Sequence, residues 1–259
     1  MTGTVYLVGA GPGAPDLITL RAARLLAAAD IVFYDALVHP DTVALAERAE
    51  KIAVGKRCGR HSTAQKFINK RLVDAAQKHG IVVRLKGGDP MLFGRAQEEI
   101  DALAEASIAY EVVPGITAAL AASADLGISL TRRGISRSVT FATPRVGREE
   151  QPSDWAASLL NADTGVLYMA AHEARQIAAQ LIARGKPAGT PVMVVESASL
   201  NGAHHVTTLA GLANDGLPAL QGPALLMLGE VYREALDASI RESLDSADIV
   251  ATGALTQRC

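Results

Sequence analysis

Short apolar runs alternate with longer amphipathic stretches along most of the chain. Residues 4–8 (TVYLV) form a β-branched run that breaks at Gly9-Ala10-Gly11-Pro12-Gly13. Residues 16–30 then place Leu17, Leu20, Ala23, Leu26 and Ala27 near helical spacing. The same alternation predicts strands at 30–35, 51–55, 80–85 and 110–113, and helices at 41–48, from Ser62 or Thr63 to His79, and at 93–106. Strands separated by helices through short loops predict an α/β fold with a largely parallel sheet. An Ala-rich stretch, 116–130, reads as a helix bridging two domains. Beyond it the texture resumes, with strands at 138–142, 165–169, 191–196 and 224–228 and helices at 155–160 and 173–184. Residues 144–154 read as an exposed polar loop and 239–259 as a loosely held tail.

Composition narrows the class without changing this outline. The chain has 259 residues, is 49% hydrophobic and carries a net charge of −2, so it can bury a core and is no dedicated nucleic-acid binder. Ten aromatic residues offer few stacking platforms for bases. No apolar run approaches the roughly 18–20 residues of a membrane helix, because Asp125 interrupts the nearest one. The first residues lack a basic n-region, which predicts no signal peptide, and two cysteines, Cys58 and Cys259, fit a reducing cytoplasm.

Five motifs carry candidate chemistry. Gly9-Ala10-Gly11-Pro12-Gly13-Ala14 matches G-x-G-x-x-[GA], and Asp35 lies where a ribose-binding acid would sit, which suggests either a dinucleotide site or simply a tight strand-to-helix turn. Against this, Pro12 has no N–H to offer a pyrophosphate, and Pro15 at a first helical position moves the helix start away from the glycines. Gly87-Gly88-Asp89-Pro90 ends a strand abruptly, and paired glycines let backbone approach a ligand closely. Asp89 either accepts hydrogen bonds from a ligand or caps the following helix with Pro90 at its first position. No Gly-Lys-[Ser/Thr] follows, which disfavours phosphoryl transfer. Arg95 and Glu98, at helical spacing, form either a surface ion pair or an arginine held toward a ligand. Lys56, Arg57, Arg60 and His61 make a basic loop, by default a solvated one and alternatively one suited to a carboxylate-rich ligand. Pro114-Gly115-Ile116-Thr117 starts a helix that Thr117 either caps or uses to face a ligand. His204-His205, side by side on a strand, would face opposite ways and make no metal site.

These motifs occur in an order that resembles the uroporphyrinogen-III C-methyltransferases of the tetrapyrrole methylase family: residues 5–22, YDALV at 34–38, VGKR at 54–57, VVRLKGGDPMLFGRAQEE at 82–99, VVPGITAALAAS at 112–123 and GISLTRRG at 127–134. The resemblance spans roughly residues 5–229. It implies two α/β domains with the active-site cleft between them, residues 1–114 and 115–238, followed by a tail, 239–259. It also implies a homodimer acting on a small-molecule tetrapyrrole, to which composition adds the expectation of a cytoplasmic protein without nucleic acid or membrane.

The implied cofactor is S-adenosyl-L-methionine, leaving as S-adenosyl-L-homocysteine, with no metal. The implied donor contacts are Pro12, Gly87, Gly88, Asp89, Leu92, Thr117, Ala118, Met169, Ala198 and Ala224. Asp35 is the implied general base and Lys56 the general acid, while Arg57, Arg95, Glu98 and Arg133 are implied substrate residues. The implied reaction methylates uroporphyrinogen III at C2 and C7, giving precorrin-2 through precorrin-1. Departures from the family pattern gather late in the chain: Thr143-Pro144-Arg145 where Thr-Gly-His is common, Arg132 within Leu-Thr-Arg-Arg, Ala170 after Met169, and Ser197 in place of glycine. Three other readings compete: a methylase elsewhere in the corrin pathway, a nicotinamide oxidoreductase resting on Gly9–Ala14 and Asp35, and a silent tetrapyrrole-binding protein.

Overall fold

A computed structural model describes residues 2–54, 65–146, 151 and 153–242. The chain divides into two compact units, Met1–Ala121 and Ala122–Cys259, a division that falls on the C-terminal side of the expected 114/115 boundary.

In the first unit five strands, β1 (Thr4–Gly9), β2 (Ile31–Tyr34), β3 (Glu50–Ala53), β4 (Ile81–Lys86) and β5 (Ala109–Val113), pair in parallel in the order β3-β2-β4-β1-β5. Apolar side chains on both faces are what a parallel sheet covered by helices requires. In β1, Val5 and Leu7 enter a core with Leu72 and Leu103, whereas Val8 enters a second core with Leu26 and Val43. The first core lies beneath α3 (Gln65–Ala76) and α4 (Ala96–Glu105), and the second beneath α1 (Leu20–Ala28) and α2 (Pro40–Ala44).

Several helices begin or end differently from the periodicity. The expected helix 16–30 is split into a 3-10 turn, Pro15–Leu17, and α1. Thr19 caps α1 by accepting from Ala22 N at 3.2 Å, so the helix cannot start earlier. The expected helix 93–106 starts only at Ala96, because Phe93 and Arg95 adopt φ of 53° and 54°, outside the helical region. Asp89 and Pro90 therefore cap no helix. The helix 41–48 shortens to α2. The helix 116–130 shortens to α5 (Ala118–Leu126), which Gly127 terminates at φ 64°.

The second unit corrects the expectation of parallel pairing. Its strands, β6 (Val139–Ala142), β7 (Thr164–Leu167), β8 (Pro191–Glu196), β9 (His204–Thr208) and β10 (Ala224–Gly229), run in the order β6-β7-β10-β8-β9. Only β6–β7 is parallel, and the other three pairings are antiparallel. Helices α6 (Trp155–Asn161), α7 (Ala174–Ala183) and α8 (Leu209–Asp215) close a core around Leu159, Leu181, Leu212 and Leu226. β9 escapes the pattern because the edge strand HHVTT has Val206 as its single apolar residue, and α8 because seven residues with two buried leucines are too few to show a helical period. β7 stops before Met169, whose φ is 57°. Residues 233–242 are helical, so the segment expected as a tail begins in helix, and 243–259 lie outside the described residues.

Among the described residues no helix is long and apolar enough to cross a membrane, and no group of three or more His, Cys, Asp or Glu is arranged to hold a metal ion.

Candidate active site

The carboxyl ends of β1, β2, β4 and β5 bring the strongest motifs together, as expected for ligand sites on parallel sheets. The loops after β1 and β4 are joined backbone to backbone: Gly11 N donates to Gly88 O at 3.3 Å, and Gly88 N to Gly11 O at 2.7 Å. Both glycines sit at positive φ, 80° and 67°. The loop after β5 closes on the same pair, since a Cβ on Gly9 would lie 2.6 Å from Gly115 Cα and 2.8 Å from Gly88 O. Asp89 ties the loops further: Oδ1 accepts from Met91 N at 2.8 Å, and Oδ2 from Gly115 N at 2.9 Å. The result is a cradle of nearly bare backbone in which Pro12, Gly87, Gly88, Asp89, Leu92, Thr117 and Ala118 are half-buried. Thr117 lies just before α5, and its carbonyl accepts from Leu120 N at 3.1 Å.

This geometry removes the dinucleotide reading. Gly11 N is committed to Gly88, Pro12 has no N–H, and α1 begins only at Leu20, so no helix N-terminus is presented by the glycine turn.

Beside the cradle lies a charged set that the sequence reading missed. Period-2 alternation in β4 puts Val82, Arg84 and Lys86 on one face and the apolar Val83 and Leu85 on the other. Asp35 extends the Ile31–Phe33 face of β2, with its N–H donating to Leu85 O at 3.3 Å. Arg84 donates from a terminal nitrogen to Asp35 Oδ1 at 2.6 Å, from Nε to Glu99 Oε1 at 3.0 Å, and from its other terminal nitrogen to Leu85 O at 3.2 Å. Lys86 Nζ contacts both oxygens of Glu99 at 3.1 Å. Gln65 on α3 donates to Glu99 Oε1 at 3.1 Å and to Asn69 Oδ1 at 3.0 Å.

Arg84, Lys86 and Glu99 are buried, and only Asp35, with its side chain 30% exposed, reaches the surface. Burial opposes the Arg84 charge, but attraction to Asp35 and Glu99 outweighs it and raises its pKa above the ordinary value. Burial, reinforced by neighbouring Arg84, holds the Lys86 ammonium below its ordinary value despite Glu99. Buried charges need partners, so two cations two residues apart in an otherwise apolar strand were the available signal for Glu99.

The other expected residues fall as follows. Arg95 and Glu98 are exposed and form a two-point pair, 2.6 and 2.7 Å, across the start of α4. Lys56, Arg57, Arg60 and His61 lie outside the described residues.

In the second unit Met169 is exposed after β7, and Ala198 is buried in a turn in which Ser197, Ser199 and Asn201 all have positive φ. That turn is fixed where β8 meets β10: Ser197 N donates to Pro223 O at 2.8 Å, Glu196 accepts from the Gln221 and Gly222 N–H groups, and Ala224 pairs with Glu196. Ala198 and Ala224 thus lie on one edge. Arg133 is exposed in the 132–136 turn.

The profile of the tetrapyrrole (corrin/porphyrin) methylases matches residues 4–213. A uroporphyrinogen-III C-methyltransferase from Pseudomonas aeruginosa is 43% identical over 242 residues, covering 93% of this chain and 98% of that protein. A sirohaem synthase from a Psychrobacter species is 46% identical over 234 residues, covering 89% of this chain and 48% of its own length. The chain thus spans about half the length of the sirohaem synthases it matches. Among solved structures, a uroporphyrin-III C-methyltransferase from Thermus thermophilus complexed with S-adenosylhomocysteine superposes with a TM-score of 0.79. It is 38% identical and covers 89% of this chain and 99% of that one.

Proposed function

The chain belongs to the tetrapyrrole (corrin/porphyrin) methylases, and from that premise we propose that it is an S-adenosylmethionine-dependent C-methyltransferase acting on uroporphyrinogen III. The finer reading is methylation at C2 and C7, giving precorrin-2 through precorrin-1. The observation that carries the proposal is the glycine cradle joined at Gly9, Gly11, Gly88 and Gly115, set beside the one surface-reaching carboxylate of a buried charge network.

The cradle suits the donor because its glycines let three loops meet backbone to backbone, so that backbone edges and the half-buried Leu92 and Pro12 are gathered where an adenosyl group is assigned. Gly87, Gly88, Asp89, Thr117 and Ala118 are assigned to it here, and the family pattern assigns Met169, Ala198 and Ala224 as well. When bound, S-adenosylmethionine supplies an electrophilic methyl group. The chain's part is to hold donor and acceptor carbon in line, which in general removes about 7–11 kcal/mol of a barrier. Asp35 is assigned the proton taken from the macrocycle, because its carboxylate sits at a strand end with Oδ1 fixed by Arg84. Lys56 is assigned as the acid. Arg57, Arg95 with Glu98, and Arg133 are assigned to the substrate's carboxylates, for which guanidinium geometry is suited. The same reading makes the protein a cytoplasmic homodimer, and light scattering tests the dimer.

The deciding experiment is an anaerobic assay with uroporphyrinogen III and S-adenosylmethionine, with products identified by mass after oxidation. Gain of two methyl groups is expected, with precorrin-1 transient. A single methyl, or turnover only on an already methylated corrinoid, would overturn the finer reading. Calorimetry that detects NADH but not S-adenosylhomocysteine would overturn the coarser one.

A further inference from the structure

We infer that Glu99 is a positioning residue of the proton-handling site: from the buried face of α4 it holds Arg84 by Nε and Lys86 by Nζ, and so aims the guanidinium that grips Asp35. The inference rests on Asp35 as the base proposed above.

Glu99 is wholly buried, yet its two oxygens accept from Arg84, Lys86 and Gln65 at 3.0–3.1 Å. A whole buried ion-pair set can often be replaced by apolar residues without loss of stability, whereas removing Glu99 alone would leave Arg84 and Lys86 buried without it, so stability by itself does not account for the set being kept. Every nitrogen of Arg84 is engaged, by Glu99, Leu85 O and Asp35. Its plane is therefore fixed from behind by Glu99, and its front edge fixes Asp35 Oδ1.

The charged groups of the set are Asp35 at the β2 end, Arg84 and Lys86 from β4, and Glu99 from α4, while α3 contributes the uncharged Gln65 and Asn69. Among the described residues two anions and two cations balance, and Asp35 is the one of these four at solvent. A change of charge at the buried end is thus felt at the exposed carboxylate through few intervening atoms and little water.

The test compares Glu99→Gln, Lys86→Met and the double variant with the parent. Folding is checked by S-adenosylhomocysteine calorimetry, and the pH dependence of kcat is measured in the anaerobic assay. Glu99→Gln leaves the set with one surplus positive charge. The acid limb of kcat should move to lower pH by about half a unit or more, and kcat should fall roughly tenfold to a hundredfold. Lys86→Met leaves one surplus negative charge, and the acid limb should move to higher pH. The double variant restores neutrality, and its limb should return toward the parent's.

A merely structural role would move both single variants alike or neither, and either result overturns the inference. If Glu99→Gln fails to bind S-adenosylhomocysteine, Lys86→Met and the neutral double variant decide by the same signs. Asp35→Asn separates the two levels: full turnover there sinks the base assignment itself. Lost turnover there, with unmoved pH limbs in the Glu99 and Lys86 variants, sinks only the role of Glu99.

Discussion

Replacing Gly115 with alanine puts a methyl group where backbone already lies. The added Cβ would sit 2.9 Å from Gly9 Cα, 3.1 Å from Gly9 C, and closer still to the Gly88 carbonyl oxygen. None of these atoms is the far end of a flexible side chain, so the loops after β1, β4 and β5 must separate. Overpacking of this kind costs about 1–3 kcal/mol. The separation also strains the charge-assisted bond from Gly115 N to Asp89 Oδ2, 2.9 Å, a class of bond worth roughly 1.5–3 kcal/mol. A net loss of about 3 kcal/mol lowers Tm by roughly 6–12 °C in a chain of this size. The loops that part are those assigned to the methyl donor, so S-adenosylhomocysteine affinity should fall at least about tenfold, more than the stability loss alone would cause. Scanning calorimetry and isothermal titration measure the two effects. Gly189→Ala is the control: nothing lies within 4 Å of its Cβ position and its φ is not positive, so a gain of about 0.4–1 kcal/mol is expected. A Gly115→Ala protein with unchanged Tm and affinity would refute the reasoning, as would equal destabilisation at Gly189.

Three further outcomes are expected. Arg95→Ala should raise KM for the tetrapyrrole more than Kd for S-adenosylhomocysteine. Because the pair with Glu98 is exposed, stability should change by less than about 0.5 kcal/mol; the reverse pattern in kinetics and calorimetry would misplace the residue. Thr19→Ala removes the cap of α1 and should cost about 1 kcal/mol in denaturant unfolding. Asp163 accepts from Arg137 N, Ser138 N and Ser138 Oγ at 2.8–3.0 Å, and these bonds hold its pKa below the ordinary value of 3.8. A carboxylate lowered in the folded state contributes stability above its unfolded pKa and loses it as pH falls through the folded one. Tm should therefore decline below about pH 4. Asp163→Asn should flatten that decline, and an unchanged acid slope would show that other carboxylates carry it.

Most of the first unit was legible because a parallel strand buried on both faces must read as a short apolar run, and TVYLV, IVFY and the IVV that opens β4 do so. The glycine turns were legible for a related reason: few residue types tolerate backbone at such close approach. Helix starts were not, because the left-handed φ of Phe93 and Arg95 is set by how the loop folds back and leaves periodicity unchanged. The second unit was read less well. Periodicity reports burial and is silent on strand direction, so its antiparallel pairings did not show. The edge strand β9, with Val206 as its single apolar residue, carried no alternation to read.

The same division applies to the site. Local sequence determined which residues could form it: the glycines that admit close backbone contact, the carboxylate at the end of β2, and the family order of motifs. Only tertiary structure decided how those residues are used. Asp89, which sequence made a ligand acceptor or a helix cap, joins Met91 N to Gly115 N. Asp35, which sequence left alone at a strand end, is one end of a four-charge set whose other anion comes from α4. The physical reason is that hydrogen bonds and ion pairs between residues far apart in the chain depend on sheet order and register. In the order β3-β2-β4-β1-β5, β4 lies between β2 and β1, and that placement brings Arg84 against Asp35 and Gly88 against Gly11.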